Sequence, residues 1–429
     1  MSAAPPTGRL ARGAVAGAAL ARAGLSQLGH KAALGLGLAG PQSQSEQEAR
    51  LGRILFGALN QLKGVGLKAA QLLSMEAGLL PEGVREQLAQ AQYRASPLNR
   101  ALVRKLLREE FGQGPETLFA AFEPEAFAAA SLGQVHGALA ADGRRLAVKL
   151  QYPGMAATVR SDMLLLRVLL GGLGGLPDPE LLARTLAQIE QALLQELDYR
   201  LEAEQLAWFA ARLPEQDFVL PRALPALSSA RVLTMERLAG LHLPDWLAGG
   251  PIQVERDRQG QVLLDLFMTS AFELRRLQAD PQPGNYLFMP DGRLGLLDFG
   301  CTRTLAPDFA ESLRQTWRAR LRGDDAGLLD AYIALGLVAP ELGLAEFRSQ
   351  LLPALAPLLD WLLLPWRTPR YDFGQHPAMP RMPAAQHRLA MRYLKHMPAE
   401  QPFFDRSLLG LVHLLSRLRA QVTTHQDWI

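Results

Sequence analysis

The sequence predicts an α+β fold of two lobes, preceded by a helical extension. The chain has 429 residues, more than a single hydrophobic core usually organises. Runs that alternate apolar and polar residues concentrate in the middle of the chain, whereas helical periodicity dominates on either side of them. We therefore predict four segments: an Ala- and Gly-rich basic leader (1–45), a helical extension (46–115), a smaller lobe with strands (116–240) and a mainly helical lobe (241–429).

Composition narrows the class of protein. Apolar residues make up 48% of the chain, which is typical of a globular protein. The formal net charge of +3 does not demand a nucleic-acid partner. With Cys301 as its one cysteine, the chain can form neither an intrachain disulfide nor a multi-cysteine zinc site. The apolar stretches 163–176 and 351–366 are interrupted before the roughly 18 residues that a membrane span needs, so we predict buried helices there.

The first 45 residues contain no acidic side chain, and their basic residues are Arg9, Arg12, Arg22 and Lys31. This pattern is typical of an organelle transit peptide and also of an amphipathic helix at a membrane surface. A poorly ordered alanine-rich leader is the third interpretation, and the sequence leaves all three open.

Residues 46–75 and 97–112 are predicted to be amphipathic helices from the spacing of their apolar residues. Lys68 and Gln71 are three residues apart, so they share a helix face. An ordinary solvated face is the alternative interpretation of this pair.

A group of strands is predicted next. Four small residues, Ala128-Ala129-Ala130-Ser131, read as a loop before a strand, and an Asp142-Gly143 turn leads into a second strand over 145–150 that carries Lys149. This order is that of a kinase N-lobe, where loop amides approach phosphates and a lysine reaches them from the opposing strand. A later strand, 231–238, ends at the predicted hinge between lobes, where Glu236 and Leu238 are expected to contact the nucleotide.

One long helix is predicted over 179–212, and it carries the acids Glu196, Asp198 and Glu202. On a regular helix Asp198 and Glu202 lie within about 40° of each other. We predict that one acid meets Lys149 and another meets Lys68. A charged solvent face is the alternative.

The motif that organises the second lobe begins after a predicted helix over 261–278. Asp280 and Asn285 form D-x-x-x-x-N, and Asp298-Phe299-Gly300 follows a predicted hairpin. The Asp-Gly turn of that hairpin, at Asp291-Gly292, supplies the backbone angles that a tight turn needs. The hairpin returns Asp298 to the end that carries Asp280 and Asn285, which is how a protein-kinase-like fold holds magnesium and positions an acceptor.

Six blocks therefore stand out in order along the chain. They are Lys68-Ala69-Ala70-Gln71, Ala128–His136, Ala147–Gly154, Glu196–Tyr199 with Glu202, Asp280 with Asn285, and Asp298–Gly300. Together they resemble the UbiB/AarF (ABC1-type) atypical kinases over roughly residues 50–305. The resemblance implies a two-lobed protein-kinase-like fold with a helical N-terminal extension.

The resemblance also implies ATP and Mg²⁺ as ligands and gives each motif a role. Lys149 contacts the α and β phosphates and pairs with Glu202, Asp298 and Asn285 hold Mg²⁺, and Asp280 takes the place of the catalytic aspartate. The phosphate loop is replaced by Ala128, Ala129, Ala130 and Ser131. The regulatory helix that bears Lys68 and Gln71 contacts Glu196 and Asp198.

Two features of the sequence differ from the motifs of the families it is compared with: Ala70 from the UbiB/AarF pattern, and the residues before Asp280 from that of protein kinases. Ala70 stands where the family motif has Gly, so the packing of that helix must accommodate a methyl group. Leu277-Gln278-Ala279 precedes Asp280, so the arginine that senses an activation-loop phosphate in protein kinases is missing. Ala339-Pro340-Glu341 is interpreted as a helix boundary and not as a peptide-docking segment. Phosphorylation of proteins is therefore not expected.

The expected function is that of an ATP-binding atypical kinase or ATPase, which the resemblance links to ubiquinone (isoprenoid quinone) biosynthesis or lipid homeostasis. Two alternatives stay open. The alanine loop and the Lys68 helix favour a nucleotide-dependent, non-catalytic regulator or lipid chaperone. The Asp…Asn…Asp core is shared with small-molecule phosphotransferases.

The expected partner is a nucleotide, and nucleic acid is not expected. Further candidate partners are a lipid or isoprenoid quinone precursor, a membrane surface and a second copy of the chain. We expect a cytoplasmic protein. Peripheral attachment to the inner membrane, through residues 9–39 or 351–366, and organelle targeting both stay open.

Overall fold

The structure is a computed structural model. It describes residues 17–19, 21–26, 28, 41–62, 68–69, 73, 84, 87, 98–130, 132–171, 179–380, 382–395, 397–424 and 428. Among the sequence predictions, Gln71, Ala70 and Ser131 lie outside the described residues, as does most of the leader 1–45.

The described chain mixes helices and strands, which confirms the α+β class. The helices are α1 Pro41–Leu62, α2 Arg100–Phe111, α3 Pro115–Leu118, α4 Met155–Gly171, α5 Pro179–Gln195, α6 Tyr199–Ala210, α7 Leu243–Ala248, α8 Gln253–Met268, α9 Pro307–Arg322, α10 Asp325–Ala334, α11 Leu344–Glu346, α12 Leu352–Leu363, α13 Ala384–Tyr393 and α14 Gln401–Leu418. The strands are β1 Ala121–Ala130, β2 Gly133–Leu139, β3 Arg145–Gln151, β4 Phe218–Val219, β5 Val232–Glu236, β6 Arg276–Gln278, β7 Tyr286–Phe288, β8 Leu294–Leu296, β9 Thr302–Thr304, β10 Arg370–Asp372 and β11 Gln421–Thr423.

Two compact units divide the chain. The first comprises Met1–Glu204 and Arg222–Arg237, and the second comprises Gln205–Pro221 and Leu238–Ile429. The sequence places the change of lobe at residue 240, and the chain passes between the units for the third time close by, at 237–238.

The first unit is built on an antiparallel sheet of order β1-β2-β3-β5. Gly143 has a φ of +85° in the turn before β3, which confirms the Asp142-Gly143 turn. The predicted loop at Ala128–Ala130 is wrong in its local structure. These alanines end β1 and pair with Val135, Gln134 and Gly133 of β2, because the ladder continues up to the turn. Pro124 lacks an amide donor, and the register shifts around it, between Phe122 and Ala126.

Helices cover this sheet and form two apolar clusters. Val103, Leu106 and Leu107 of α2 pack with the buried face of the strands, including Val148 and Leu150. In the second cluster α1, α4 and α5 interlock through fully buried residues. Its members include Leu55, Leu59, Val159, Met163, Leu186 and Leu193. The period of the apolar residues predicted α2 correctly and also predicted helix over the part of α1 from residue 46 onward.

The single helix predicted over 179–212 is in fact two helices, α5 and α6. The helical ladder stops because the amide of Tyr199 donates to the carbonyl of Ala230 at 3.0 Å. The carbonyl of Leu197 is satisfied by the side-chain amide of Gln151 at 2.8 Å. Asp198 then starts α6 by accepting the amide of Arg200 at 3.1 Å, as an N-cap residue does. The angle calculated between Asp198 and Glu202 on one regular helix therefore does not apply.

The second unit contains the predicted hairpin. Strands β7 and β8 pair antiparallel with Tyr286 opposite Leu296, and β4 adds to β8 in parallel. Gly292 has a φ of +82° in the connecting turn. The hairpin is thus confirmed, since local turn chemistry was sufficient to specify it.

The segment before Asp280 differs from the prediction of a helix over 261–278. Helix α8 ends at Met268 and is followed by a π-helical turn, Thr269–Glu273. Arg275 adopts a φ of +50°, which stops the helix. Residues Arg276–Gln278 then form β6, which pairs with β9 after the Asp298-Phe299-Gly300 motif.

The remainder of the second unit is mainly helical, with β10 and β11 paired near its end. Phe404 of α14 lies at the centre of an aromatic cluster with Phe267, Phe272, Phe309 and Trp317. Residues 339–341 connect α10 to α11, as predicted. Within the described residues, no helix combines the length and the apolar character that crossing a bilayer requires.

Candidate functional site

A buried ion pair in the first unit joins β3 to α6. The Lys149 ammonium lies 2.8 Å from each carboxylate oxygen of Glu202. Both side chains are about 95% buried, with exposed fractions of 6% and 4%. The ammonium also lies 5.1 Å from the centre of the Tyr199 ring. The structure therefore brings together the two residues that the sequence pairs, and it holds the lysine in a fixed direction.

A second ion pair in the same unit joins Lys68 to Glu196. These two residues are separated by 128 positions in the chain. Their side chains are 13% and 6% exposed, so the pair is largely shielded from water. The prediction that one acid of the run meets Lys149 and another meets Lys68 is confirmed, with Glu202 and Glu196 in these positions.

Asp198, the other acid of this motif, has a different partner. Its carboxylate accepts two hydrogen bonds from the Arg200 guanidinium, at 2.9 and 2.8 Å. These hydrogen bonds hold the pKa of Asp198 below its usual value. Asp198 therefore caps α6 and pairs with the arginine of the same turn. Gln71 lies outside the described residues, so the predicted contact of its helix with Asp198 stays a prediction.

The β1–β2 end contributes backbone and small side chains. Ala128 and Ala129 lie near the end of β1, close to the turn, and pair with Val135 and Gln134 of β2. Gly133 follows the turn, and a Cβ there would lie 2.2 Å from the carbonyl oxygen of Leu150. Only glycine permits this close approach of β2 to β3, so the hairpin end is tightly fixed beside the strand of Lys149.

The predicted hinge residues lie where β5 leaves the first sheet. The Glu236 carboxylate accepts the backbone amide of Arg222 at 3.3 Å and lies 3.6 Å from Arg144. Leu238 belongs to the second unit, where its side chain lies against Gly295 of β8. The structure thus shows polar contacts for Glu236 and a packing contact for Leu238, and the contact of both residues with a nucleotide stays a prediction.

The acids of the second unit are connected through Gln278. The side-chain amide of Gln278 donates to the carbonyl of Asp280 at 3.2 Å and to the carbonyl of Asp298 at 3.0 Å. The Leu297 amide donates to the carbonyl of Asn285 at 3.0 Å. The loop of Asp280 and the segment of Asp298 are therefore tied side by side. The sequence pattern assigned no role to Gln278, which stands there only as part of the segment that lacks the kinase arginine.

Asn285 orients toward Asp280. Its side-chain amide donates to the Asp280 carbonyl at 2.8 Å and to Oδ2 of the Asp280 carboxylate at 3.2 Å. Because the nitrogen points toward Asp280, the amide oxygen of Asn285 is directed elsewhere, and within the described residues no hydrogen-bond donor reaches it. An amide oxygen in this state can bind a cation.

Asp298 begins the third motif. Its Oδ1 accepts the amide of Gly300 at 2.9 Å, which fixes the carboxylate over its own turn. Phe299 is buried and packs against Phe209, with ring centroids 4.7 Å apart. Among the described residues, no three or more His, Cys, Asp or Glu side chains are grouped so that they could hold a metal ion. One carboxylate and one amide oxygen nevertheless fit Mg²⁺, which binds few protein ligands and completes its shell with phosphates and water.

Arg406 is a functional candidate that sequence reasoning missed. Its guanidinium forms an ion pair with Oδ1 of Asp280, from a position 126 residues later in the chain. The neighbouring Tyr286 is buried, and its burial together with the charge of Asp280 raises the pKa of its hydroxyl. No short-range pattern links Arg406 to the D-x-x-x-x-N motif, so the sequence offered no signal for it.

Comparison with known families gives a match to the ABC1 atypical kinase-like domain over residues 90–332, which is more than half of the chain. This range contains Lys149, Glu202, Asp280, Asn285 and Asp298. The helix that bears Lys68 lies before it.

Curated relatives include three atypical or probable kinases. Rat "Atypical kinase COQ8B, mitochondrial" is 30% identical over 400 residues, covering 89% of this chain and 73% of the relative. Yeast "Atypical kinase COQ8, mitochondrial" is 31% identical over 282 residues, which cover 65% of this chain and 56% of the relative. "Probable protein kinase UbiB" of Marinobacter nauticus is 28% identical over 315 residues, which cover 71% of this chain and 57% of the relative. The chain thus spans little more than half the length of the yeast and Marinobacter relatives.

A solved structure, that of Rv3197 with erythromycin from Mycobacterium tuberculosis, matches with a TM-score of 0.60 and 25% identity. The match covers 89% of this chain and 95% of that chain. The similarity therefore extends over nearly the whole fold.

Proposed function

The chain belongs to the ABC1 atypical kinase-like family, and from this premise we propose that it binds ATP with Mg²⁺ and cleaves off the γ-phosphate. It is an atypical kinase that resembles the COQ8 and UbiB proteins. What supports the finer proposal best is one observation in the second unit. Asp280, Asn285 and Asp298 are tied into one network by the amides of Gln278 and Asn285.

Lys149 is the proposed ligand of the α and β phosphates. Its ion pair with Glu202 directs the ammonium and compensates its charge. The end of β1 at Ala128, Ala129 and Ala130, with Ser131 after it, is the segment proposed to contact the phosphates. Because alanines are stiffer than glycines, its amides have less freedom than those of a Gly-rich loop.

Asp298 and Asn285 are the proposed magnesium ligands. Bound Mg²⁺ would neutralise the charge that develops on the phosphate oxygens. The chain's own part is to present Asp298 through its hydrogen bond with Gly300 and to turn the amide oxygen of Asn285 away from Asp280. Asp280 is the proposed residue that contacts the acceptor hydroxyl or water.

The proposed acceptor is water or a small, lipid-like hydroxyl compound rather than a protein. The absence of the kinase arginine before Asp280 supports this choice. We also propose, from the family resemblance, a role in ubiquinone (isoprenoid quinone) biosynthesis or lipid homeostasis, with peripheral contact to a membrane. Glu196 and Lys68 are proposed as the regulatory contact of this enzyme.

Turnover of labelled ATP tests the function. The parent is expected to release labelled phosphate or to form a labelled product, with and without phospholipid vesicles, and Asp280→Asn is expected to lose at least about tenfold in kcat. Asp291→Asn is the matched control, because Asp291 is an exposed acid in the turn of the neighbouring hairpin. Equal turnover in Asp280→Asn and the parent would contradict the proposed role of Asp280. Binding of MgATP without any turnover would favour the non-catalytic regulator instead.

A further inference from the structure

The C-terminal helix α14 contacts the Asp280 loop directly. Arg406 forms its ion pair with Oδ1 of Asp280. One turn later, Gly410 lies against Pro281, and a Cβ at Gly410 would be 2.2 Å from Cγ of that proline. Near the start of the helix, the centre of the Phe403 ring lies 4.4 Å from the guanidinium carbon of Arg303 on β9. The helix therefore touches both segments that flank the acids.

Gly410 is the residue that allows α14 to lie so close to the Asp280 loop. Glycine inside a helix is less favourable than alanine, so a glycine at this position needs a packing reason. A larger residue here would collide with Pro281, so the glycine allows α14 to lie close enough for Arg406 to reach Asp280. This close contact fixes both the distance of the helix from the loop and its rotation.

The ion pair is largely shielded from water. The exposed fractions of the Arg406 and Asp280 side chains are 11% and 19%. The two carboxylate oxygens of Asp280 have different donors, since Oδ1 accepts from Arg406 and Oδ2 accepts from Asn285. One donor comes from the loop itself and the other from a distant helix, so together they fix the plane of the carboxylate.

The loop supplies no cation of its own. The four residues between Asp280 and Asn285 are Pro281, Gln282, Pro283 and Gly284, and all are uncharged. Phosphoryl transfer places negative charge near the acceptor, and enzymes stabilise it with fixed cations and oriented donors. In the described part of the second unit, Arg406 is the cation that contacts this carboxylate.

We propose that Arg406 is a positioning residue for phosphoryl transfer, acting through Asp280; this inference rests on the proposed function. By holding Oδ1, Arg406 leaves the remaining lone pair of Oδ2 to accept a hydrogen bond from the acceptor. The acceptor oxygen then forms a bond to the γ-phosphorus while the bond from that phosphorus to the bridging oxygen breaks. The electron pair of the broken bond leaves with ADP, and the proton of the acceptor passes to Asp280.

The experiment compares Arg406→Met, Arg406→Lys and the control Arg417→Met. Arg417 is an exposed arginine on the same helix, so its removal changes the charge of α14 without touching the loop. The first readout is amide hydrogen exchange over residues 280–285. In Arg406→Met the loop amides, including that of Asn285, which donates to Gln282 at 2.9 Å, are expected to exchange about tenfold faster. Arg406→Lys is expected to exchange at an intermediate rate, and Arg417→Met like the parent.

The second readout is kinetic. Arg406→Met is expected to lower kcat at least about tenfold with KM for ATP within about twofold, and Arg406→Lys to recover part of the loss. In an Asp280→Asn background, Arg406→Met should lower kcat no further, because the two residues act as one unit.

Several results would overturn the inference. These are parent-like exchange in a folded Arg406→Met or Arg406→Lys variant, an undiminished kcat in Arg406→Met, and a full further loss in the Asp280→Asn background. If Arg406→Met does not fold, Arg406→Lys decides by the same two readouts. If the parent turns over no ATP, the proposed function fails, whereas the exchange measurement still decides whether Arg406 positions the loop.

Discussion

The ammonium of Lys149 lies 2.8 Å from both carboxylate oxygens of Glu202, and both side chains are buried. Moving two charges out of water costs several kcal/mol each, and mutual attraction offsets this only while both partners are present. The pair is therefore weak evidence for extra stability. It is stronger evidence that a charged lysine is needed at this position of β3.

Removing one partner of this pair should destabilise the protein strongly. Lys149→Met or Glu202→Gln should lower the free energy of unfolding by about 3–5 kcal/mol, because a buried charge loses its partner. The double variant Lys149→Met/Glu202→Leu should recover most of this stability. Denaturant unfolding measures each value.

The exposed pair of Arg167 with Glu190, at 2.9 Å in the same unit, provides the control. Arg167→Met should cost no more than about 1 kcal/mol. A double variant that stays as unstable as the worse single variant would contradict the charge-pair explanation. The double variant should regain stability but not ATP binding, which separates folding from function.

The ion pair of Lys68 with Glu196 should hold the helical segment around Lys68 against the rest of the first unit. Lys68→Glu is expected to speed proteolysis of this segment by placing two acids together in a shielded site. The charge swap Lys68→Glu/Glu196→Lys should restore resistance. Cleavage rates under native conditions, followed by mass spectrometry, measure the effect.

Lys105→Met is the matched control, because Lys105 is exposed and lies 3.8 Å from Glu109 on α2. It should leave the cleavage rate unchanged. Equal protease resistance of Lys68→Glu and the parent would show that the pair does not restrain this segment.

His136 should make the first unit sensitive to acid. Its Nδ1–H donates to the carbonyl of Glu123 at 2.8 Å, so Nε2 accepts from the side-chain amide of Gln134 at 2.7 Å. A second proton, on Nε2 of His136, would point at the side-chain N–H of Gln134, which is itself a donor, so protonation is disfavoured. Burial, the largest cause, lowers the pKa of His136 in the folded protein.

The sign of the effect follows from this shift. Below the unfolded value of about 6.5 the unfolded chain binds a proton that the folded protein does not, so stability falls as pH decreases. His136→Phe should show a smaller loss of unfolding free energy between about pH 6.5 and 5. His413→Phe, on the exposed side of α14, is the control and should keep the parent slope. A parent-like slope in His136→Phe would exclude His136 as the cause.

The parts of the fold that sequence reasoning predicted depend on local information. The hairpin of β7 and β8 is specified by the Asp291-Gly292 turn, and α2 is specified by its apolar spacing. The break between α5 and α6 was missed because its cause, a hydrogen bond from Tyr199 to Ala230, joins distant segments. The run of small residues that includes Ala128 and Ala129 predicts a loop, whereas pairing with β2 makes these residues part of β1.

In the candidate site, too, some residues follow from local sequence motifs and others only from contacts between distant segments. Lys149, Asp280, Asn285 and Asp298 could be found because each sits in a spaced motif. Arg406 lies outside every motif and reaches Asp280 through the packing of α14, so only the folded chain reveals it. Sequence reasoning identifies groups that carry chemistry, while residues that orient those groups follow from tertiary contacts.

The central claim is that Asp298 holds the cation of a bound nucleotide, and titration calorimetry of ATP with and without Mg²⁺ tests it most directly. The parent should bind ATP at least about tenfold more tightly with Mg²⁺, and Asp298→Asn should lose this Mg²⁺-dependent gain while remaining folded. Asp291→Asn should bind as the parent does. A Kd for MgATP in Asp298→Asn equal to that of the parent would contradict the account.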